Sequence, residues 1–300
     1  NLFSMTDAGI APLKDHRHLR RVSLARTMTG DGALATLSGN PNLTHLELGT
    51  QVTDAGLTHL RDYPAFRIWD ERWVDEDPGI HQRPCSTYLS LRHCNHITDA
   101  GLSNLAACAG IHTVVFPFPN RGKWITHMPT SLNDNLHYTE RGLAYLRQMA
   151  NLRDIWLPGE VGTNAAMREI ARIQKLHTME CHGALAGDEG FAALAQCTTL
   201  QKLNASSNTL TGEGISALAA STNLRYLWIG GDLLDDDSFK SLPSFNTLHG
   251  FWTGGGRFTD EAFAYIAAIP NLEILVNMYP TGRTGDRATE HLAKAKNLKQ

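Results

Sequence analysis

A nine-residue pattern that recurs along the chain constrains its fold more than any other feature. It reads MTDAGIAPL at residues 5–13, VTDAGLTHL at 52–60 and ITDAGLSNL at 97–105. In these copies a large residue follows the glycine: Ile10, Leu57 and Leu102. Looser copies follow, and the equivalent residue of each copy gives eleven positions in all: Ile10, Ala33, Leu57, Leu102, Leu143, Met167, Phe191, Ile215, Phe239, Phe263 and Thr289. Five successive intervals between these positions, from Leu143 to Phe263, are 24 residues long. A fixed period of this length indicates a repeat architecture.

Each copy of the pattern predicts a short helix. Threonine is the first letter in nine of the eleven copies, and threonine is a good helix N-cap. Asp, Glu or Asn commonly follows, where the positive end of the helix dipole favours a carboxylate. Apolar residues three or four apart, such as Leu57 and Leu60, predict one buried helical face. A glycine so early in a helix is unusual, and we expect the backbone to pass close to a neighbouring repeat there.

A second pattern lies between the predicted helices. Residues 42–48 read NLTHLEL, residues 223–229 read NLRYLWI and residues 271–276 read NLEILV. Leu-x-x-Leu-x-Leu predicts a buried leucine followed by a short parallel strand. A strand and a helix in about 24 residues, stacked on their neighbours, predict leucine-rich repeats.

The segment 88–111 resembles the cysteine-containing class of leucine-rich repeats, whose motif runs LxxLxLxxCxxITDxGLxxLAxxCxxL. GALATL at 32–37 also resembles bacterial GALA-type repeats, as does the sequence at 183–185. The resemblance covers nearly the whole chain. It implies an α/β leucine-rich repeat solenoid of about 11 repeats, a right-handed horseshoe with parallel β-strands on the concave face and helices on the convex face. It says little about function, because such scaffolds bind many different partners.

The continuous repeat predicts a single leucine-rich repeat domain over residues 1–300, with irregular insertions at about 67–86 and 117–137. The first stretch is either an insertion or a degenerate repeat that has lost its helix. The second has three prolines and no period, and loops of this length are usually functional or disordered. Trp69, Trp73 and Trp124 argue against disorder and are candidate binding residues, unless the loops simply pack over the scaffold.

Composition excludes several classes of function. The net charge is -3 with both signs dispersed, which predicts no nucleic-acid partner. No apolar run approaches the length of a membrane span, so we expect no membrane association. Cys94, Cys108 and Cys197 occupy repeat positions that should be buried rather than disulfide-bonded, which favours a reducing, cytoplasmic compartment. Both ends of the sequence fall inside a repeat, so we expect flanking sequence.

No pattern in the sequence indicates catalysis. Cys85, His93, Cys94 and His96 form a metal-like cluster, but the paired CxxC or HxxxH spacing of zinc sites is absent. The glycine-rich run at 254–257 lacks the Lys-Ser/Thr ending of a phosphate loop. We therefore predict no catalytic residue, no metal and no cofactor, and a protein that is not an enzyme.

One residue in each predicted strand, between its last two apolar positions, should point away from the core. We call this set the face column: Ser23, Glu47, Ser90, Val115, Trp156, Glu180, Asn204, Trp228, Trp252 and Val276. Aromatic residues mixed with a few polar groups are typical of protein-binding hot spots. The candidate partner-binding residues in and beside this column are Trp156, Glu180, Asn204, Tyr226, Trp228, Trp252 and Glu47. The alternative is that the inserted loops or flanking sequence cover these aromatic residues.

The sequence thus predicts a protein-recognition scaffold that binds a macromolecular partner through its concave strand face and two inserted loops. A second interpretation is the substrate-recognition part of a larger protein, such as a ubiquitin-ligase adaptor of the F-box type or a bacterial effector. No F-box is present in the sequence. A third interpretation is an enzyme with a polar site between the loops and the strand face. The sequence does not indicate an oligomeric state.

Overall fold

The computed structural model describes residues 4–67, 87–117, 136–277 and 283–299. Most of the two predicted insertions lies outside these ranges. Trp69, Trp73 and Trp124 are therefore outside the described residues, and so is Cys85.

The described residues contain ten β-strands. Neighbouring strands pair in parallel among the first five and among the last five. The strands succeed one another in chain order and are three to seven residues long. Their bounds are β1 Arg21–Ser23, β2 His45–Glu47, β3 Tyr88–Ser90, β4 Thr113–Val115, β5 Asp154–Pro158, β6 Thr178–Ala184, β7 Lys202–Ser207, β8 Tyr226–Gly230, β9 Gly250–Gly254 and β10 Ile274–Asn277. The predicted alternation of strand and helix, and with it the α/β class, is confirmed.

Helices follow the strands in each repeat, and most are short. The α-helices are α1 Asp7–Ile10, α2 Asp31–Leu37, α3 Asp54–Leu57, α4 Pro64–Arg67, α5 Asp99–Leu105, α6 Glu140–Leu143, α7 Asn164–Ala171, α8 Asp188–Ala195, α9 Gly212–Leu218, α10 Ala262–Ala267 and α11 Asp286–Leu292. In the repeat that follows β8, two 3-10 helices, Asp236–Phe239 and Leu242–Ser244, replace the α-helix. Ten of the eleven repeat-marking residues are buried, and only Thr289 is exposed. The residues that define the sequence repeat are therefore also residues that recur in the core.

The chain divides into two compact units. The N-terminal unit comprises Asn1–Trp156 and Ile173–Lys175, and the C-terminal unit comprises Leu157–Arg172 and Leu176–Gln300. Each unit has its own apolar core, with Leu57 and Leu102 in the first and Phe191 and Phe251 in the second, all fully buried.

A ladder of aspartates links successive helices within each unit. Asp31, at the start of α2, accepts hydrogen bonds from the Thr53 backbone N–H at 2.8 Å and the Thr53 hydroxyl at 2.6 Å. Thr53 is itself the N-cap of the next helix, α3. The same double bond joins Asp54 to Thr98, Asp99 to Thr139, Asp188 to Thr211 and Asp236 to Thr259. The aspartate therefore caps the following repeat as well as favouring its own helix dipole.

The repeated glycine is needed because this carboxylate lies against it. A methyl group on Gly214 would stand 2.6 Å from Asp188 Oδ1, and one on Gly56 would overlap the Asp31 carboxylate. The sequence predicted that the backbone at this glycine passes close to a neighbouring repeat, and this is confirmed. The group that it approaches is the aspartate side chain of the preceding repeat.

A second ladder joins the start of each strand to the previous repeat. The side-chain amide of Asn42 donates to the Arg17 carbonyl at 2.8 Å, and that of Asn271 donates to the Asn246 carbonyl at 2.7 Å. Asn151 makes the equivalent bond to the Ala109 carbonyl at 2.9 Å. The asparagine of the NL dipeptide therefore fixes the turn before the strand, since it satisfies a carbonyl that the turn leaves open.

Candidate functional site

The face column points away from the core in the C-terminal unit, as the sequence predicted. Along β8, Leu227 and Ile229 are fully buried, whereas Trp228 is half-buried and Tyr226 is 39 % exposed. Because the β6, β7, β8 and β9 strands are in register, the face column brings four side chains into one row. That row is Glu180, Asn204, Trp228 and Trp252.

The Trp228 indole lies along the face rather than projecting from it. Its ring meets the His182 ring edge-on, with centroids 4.9 Å apart and planes at 73°. His182 is on β6 and Trp228 is on β8, so the indole reaches across β7. Gly230, two residues further along β8, is required by the neighbouring strand rather than by the ring, since a methyl group there would stand 2.6 Å from the Gly254 carbonyl oxygen. Desolvation by burial lowers the pKa of His182, so the imidazole is neutral at pH 7.

Trp252 and Tyr226 form a second aromatic pair beside the first. Their ring centroids are 6.2 Å apart, with planes tilted by 49°. Both rings lie over Gly250, where a methyl group would stand 2.6 Å from Trp252 Cζ3 and 2.8 Å from Tyr226 Cδ1. The glycine therefore allows two large rings to share one position of the sheet, and Tyr226 presents more of its surface than the tryptophans do.

Polar groups accompany the rings. Asn204 stands between Glu180 and Trp228 in the register, on the strand that the Trp228 indole crosses. Its Oδ1 atom is buried and has no hydrogen-bond partner in the described part of the chain. Lys202 Nζ lies 3.9 Å from Glu180 Oε1 at the start of the same strand. The face thus combines aromatic area with one unsatisfied acceptor and one weak ion pair.

The N-terminal unit has a smaller set of side chains on the same column. Glu47 accepts a short hydrogen bond from the Ser23 hydroxyl. His45 and Tyr88 stack on adjacent strands, with ring centroids 5.9 Å apart and planes at 20°. Trp156 is half-buried on β5, opposite Val115.

Two positions of the column differ from the expectation that it faces solvent. Ser90 is 2 % exposed and Val115 is 1 % exposed. Position in the repeat alone therefore does not decide exposure in this unit. In the described part of the face column, Ser23 is exposed, and the half-buried members are Glu47, Trp156, Glu180, Asn204, Trp228, Trp252 and Val276.

The four described cysteines belong to the core. Cys94, Cys108, Cys181 and Cys197 are buried free thiols, and desolvation raises the pKa of Cys108 and Cys181 to about 12. Within the described ranges, no three His, Cys, Asp or Glu side chains come together as a metal-binding group would require. Among the helices described, none has the length and apolar character to cross a bilayer.

A second outward column escaped the sequence analysis. It lies five residues after the face column, in the loop that follows each strand, and it contains Leu185 and Leu233, which are 62 % and 43 % exposed. The available signal was the 24-residue spacing from Leu185 through Thr209 and Leu233 to Arg257, in which polar and apolar residues alternate.

This arrangement of parallel strands and helices is a leucine-rich repeat solenoid. A leucine-rich repeat family profile matches residues 87–106 and 196–219, in agreement with the fold. The curated proteins include no match to this chain.

Solved structures similar to this chain include two internalins of Listeria monocytogenes. Internalin C2 is 20 % identical over 90 % of this chain and 90 % of its own, with a TM-score of 0.49. Internalin inlF is 16 % identical over 97 % of this chain and 87 % of its own, with a TM-score of 0.43. TLR13 in complex with ssRNA13 is 15 % identical over 95 % of this chain and 42 % of its own, with a TM-score of 0.49. Similarity at this level carries no information about function.

Proposed function

We propose that the chain is a protein-recognition scaffold whose main contact surface is the strand face of the C-terminal unit. The observation that carries this proposal is the placement of Trp228 and Trp252 in the face column, with Tyr226 beside them. The repeat does not require aromatic residues there, because Asn204 and Glu180 occupy the same position on the two preceding strands.

The chemistry of the face favours a protein as the partner. Tyr and Trp are enriched at the centres of protein interfaces, where charged residues are depleted. Trp228 is already held in place by His182, and Trp252 and Tyr226 are held by each other and by the space over Gly250. Side chains fixed before binding lose little conformational entropy when the partner docks.

Further residues extend this surface in the proposal. Trp156 and Glu47 would add contacts from the N-terminal unit, Glu180 and Asn204 would supply hydrogen bonds, and the inserted loops would contribute Trp69, Trp73 and Trp124. The buried free thiols support a reducing compartment. The cysteine-containing or GALA-type class of repeat is part of the same proposal, supported by the sequence around Cys94.

Tyr226 provides the sharpest test of this proposal, because it is the most exposed ring on the face. Immobilised wild-type chain and the Tyr226→Ala and Trp228→Ala variants should be compared for the proteins they capture from cells, quantified by mass spectrometry. Tyr145→Ala is the matched control, since Tyr145 is also 39 % exposed but lies on a helix-side segment, Ala144–Gln148. Proteins lost with both face variants and retained with the control should then be made recombinantly.

Direct titration of such a protein should show that Trp228→Ala costs about 2 kcal/mol of binding free energy, as central aromatic anchors do. The loss of the His182 contact should lower the free energy of unfolding by about 1 kcal/mol, which is a smaller effect. Equal binding by the wild type and both face variants would contradict the proposal. A binding loss that only follows the loss of melting temperature would make the rings structural.

A further inference from the structure

A column of hydrogen-bond donors borders the aromatic face where the strands of the C-terminal unit begin. The residues that immediately precede β6, β7, β8 and β9 are His177, Gln201, Arg225 and His249, at intervals of 24 residues. We call these four residues the entry column. All four side chains carry N–H groups and none carries a carboxylate. The edge of the sheet at the start of these strands therefore presents donors from four successive repeats.

The backbone of the entry column is fixed by the repeat. The Arg225 and Tyr226 N–H groups both donate to the Gln201 carbonyl, at 2.8 and 3.0 Å. In the same way, the His249 and Gly250 N–H groups donate to the Arg225 carbonyl, at 2.8 and 3.0 Å. Successive members therefore stand about 4.8 Å apart, as neighbouring strands do. This backbone role requires no particular side chain, so it does not explain why Arg225 is an arginine.

Arg225 carries a charge that the described part of the chain does not use. His249 Nδ1 lies 2.8 Å from the Thr247 carbonyl oxygen, so this member of the column serves its own turn. Arg225 is exposed, and no side-chain hydrogen bond or ion pair among the described residues includes its guanidinium. Lys202, on the adjacent strand, is also exposed and is in register with Tyr226. Two cations therefore adjoin the most exposed ring of the strand face.

The carboxylates near these two cations do not cancel their charge. Glu180 Oε1 is 3.9 Å from Lys202 Nζ, and the Glu180 side chain is 18 % exposed whereas that of Lys202 is 49 % exposed. Glu273, which precedes β10, is paired with Lys299 at 3.0 Å. A hydrogen bond from Lys299 lowers the pKa of Glu273, which keeps that ion pair charged. The edge formed by β7 and β8 thus has one weakly paired cation and one that is unpaired within the described residues.

We propose that Arg225 and Lys202 bind an Asp or Glu side chain of the partner, close to an apolar side chain that packs on Tyr226. This inference rests on the proposed strand-face function and specifies which kind of segment the face selects. An arginine fork binds a carboxylate through two parallel hydrogen bonds, and a lysine ammonium adds a point charge. Tyr226 follows Arg225 directly. Because two residues of an extended chain span about 6.8 Å, the acidic and the apolar residue should lie within two positions of each other.

A carboxylate fits this edge better than a nucleic-acid backbone does. Proteins that bind DNA commonly neutralise roughly 6 to 10 phosphates, whereas this edge offers Arg225 and Lys202. Glu180, on the strand next to Lys202, would repel a longer polyanion. Two cations beside an exposed aromatic ring match one acidic side chain and its apolar neighbour.

The test begins with a phage-displayed library of random 12-residue peptides, panned on the folded wild-type chain. Peptides that also bind the Lys202→Gln/Arg225→Gln double variant are then removed. We expect the remaining peptides to carry Asp or Glu within two residues of an apolar or aromatic residue. A synthetic peptide from this set, labelled and measured by fluorescence anisotropy, should bind the double variant at least tenfold more weakly than the wild type.

Two further measurements assign this effect to a carboxylate. Replacing the acidic residue of the peptide by its amide should weaken binding to the wild type and should have little further effect on the double variant. Arg225→Lys should give an intermediate affinity, since lysine keeps the charge but not the two parallel N–H groups. The matched control is Arg172→Gln/Lys240→Gln, which removes the same charge from exposed side chains at helix ends and should leave the affinity unchanged.

The outcomes separate this inference from the function on which it rests. If no peptide discriminates against the double variant, the carboxylate site is overturned, and the aromatic surface still stands where Tyr226→Ala weakens binding. If acidic peptides lose affinity with the double variant but not with Tyr226→Ala, the carboxylate site stands and the aromatic surface fails. Discriminating peptides without an acidic residue would also overturn the carboxylate site, as would an equal loss in the matched control. Displacement of the peptide by an equal concentration of 12-nucleotide single-stranded DNA would overturn it in favour of phosphate recognition.

Discussion

The threonine, aspartate and glycine of the motif recur because together they form one contact between successive repeats. The aspartate of one repeat accepts two hydrogen bonds from the threonine of the next, and the glycine leaves space for the carboxylate. The repeat that contains Gly212 shows the consequence of losing the aspartate. Gly212 stands where the aspartate should be, and the following Asp235 caps its own helix instead, accepting from the Ser238 backbone N–H at 3.0 Å.

Gly56→Ala tests this contact directly. The added methyl group would overlap the Asp31 carboxylate, so we expect the free energy of unfolding to fall by about 2 kcal/mol, as in other cases of overpacking. Urea denaturation followed by circular dichroism would measure the change. Gly39→Ala is the control, because a methyl group there meets no heavy atom within 4 Å.

The same change should cost much less in a chain that already carries Asp31→Ala, since the clashing group is then absent. Costs that simply add in the double variant would show that the two residues do not interact.

His112 makes stability depend on pH. It is buried, its Nδ1 lies 3.0 Å from the Thr87 hydroxyl oxygen, and desolvation, with Arg153 and Lys175 nearby, lowers its pKa to about 4. An unfolded histidine titrates near pH 6.5, so below that pH the unfolded chain binds a proton that the folded chain resists. The contribution of His112 is therefore fully present above about pH 6.5 and is lost progressively as the pH falls towards 4.

Thermal melts at pH 7 and pH 5 would measure this effect. His112→Gln should reduce the drop in melting temperature between the two pH values, whatever its effect at pH 7. His96→Gln, at an exposed position, should leave the drop unchanged. The same drop in all three chains would show that His112 is not the group that titrates.

At the scale of single elements, two departures from the regular repeat have local causes. The segment after β8 forms 3-10 helices, and the second of these, Leu242–Ser244, contains a proline, which cannot supply the backbone N–H that an α-helix uses. On β9, Gly250 replaces a side chain that would otherwise occupy the face, and the rings of Trp252 and Tyr226 lie over it. The strands thereby hold large rings flat on the sheet.

Because of this packing, the two tryptophans on β8 and β9 point away from the core without being fully exposed. The sequence predicts that Trp228 and Trp252 point out of the core, and the burial pattern agrees. Both are nevertheless half-buried by contacts with neighbouring strands. Because His182 is two strands away from Trp228, no property of β8 alone could have predicted their contact.

At the scale of the whole molecule, burial protects the thiols. Cys94, Cys108, Cys181 and Cys197 are buried in both units, and only thiolates react readily. In the Cys85→Ser variant, which leaves these four, we expect no fast reaction with Ellman's reagent under native conditions. All four should react once the chain is unfolded in urea. A thiol that reacts in seconds in the native variant would show that one of these repeats opens readily.

The sequence by itself determined the period, the order of strand and helix, and ten of the eleven repeat-marking positions in the core. These follow from short-range rules, namely N-caps, apolar spacing and strand alternation, which act within one repeat. Its prediction of outward side chains in the C-terminal unit is also confirmed. The sequence did not show that Ser90 and Val115 are buried, or that Leu185 and Leu233 are exposed.

Those outcomes were decided by the tertiary structure. The partner of each aspartate stands in the next repeat, and the neighbours of each ring lie one or two strands away. Exposure and pairing depend on how residues about 24 or 48 positions apart are stacked. A pattern within one repeat specifies which way a side chain points, but the stacked neighbours determine whether anything covers it.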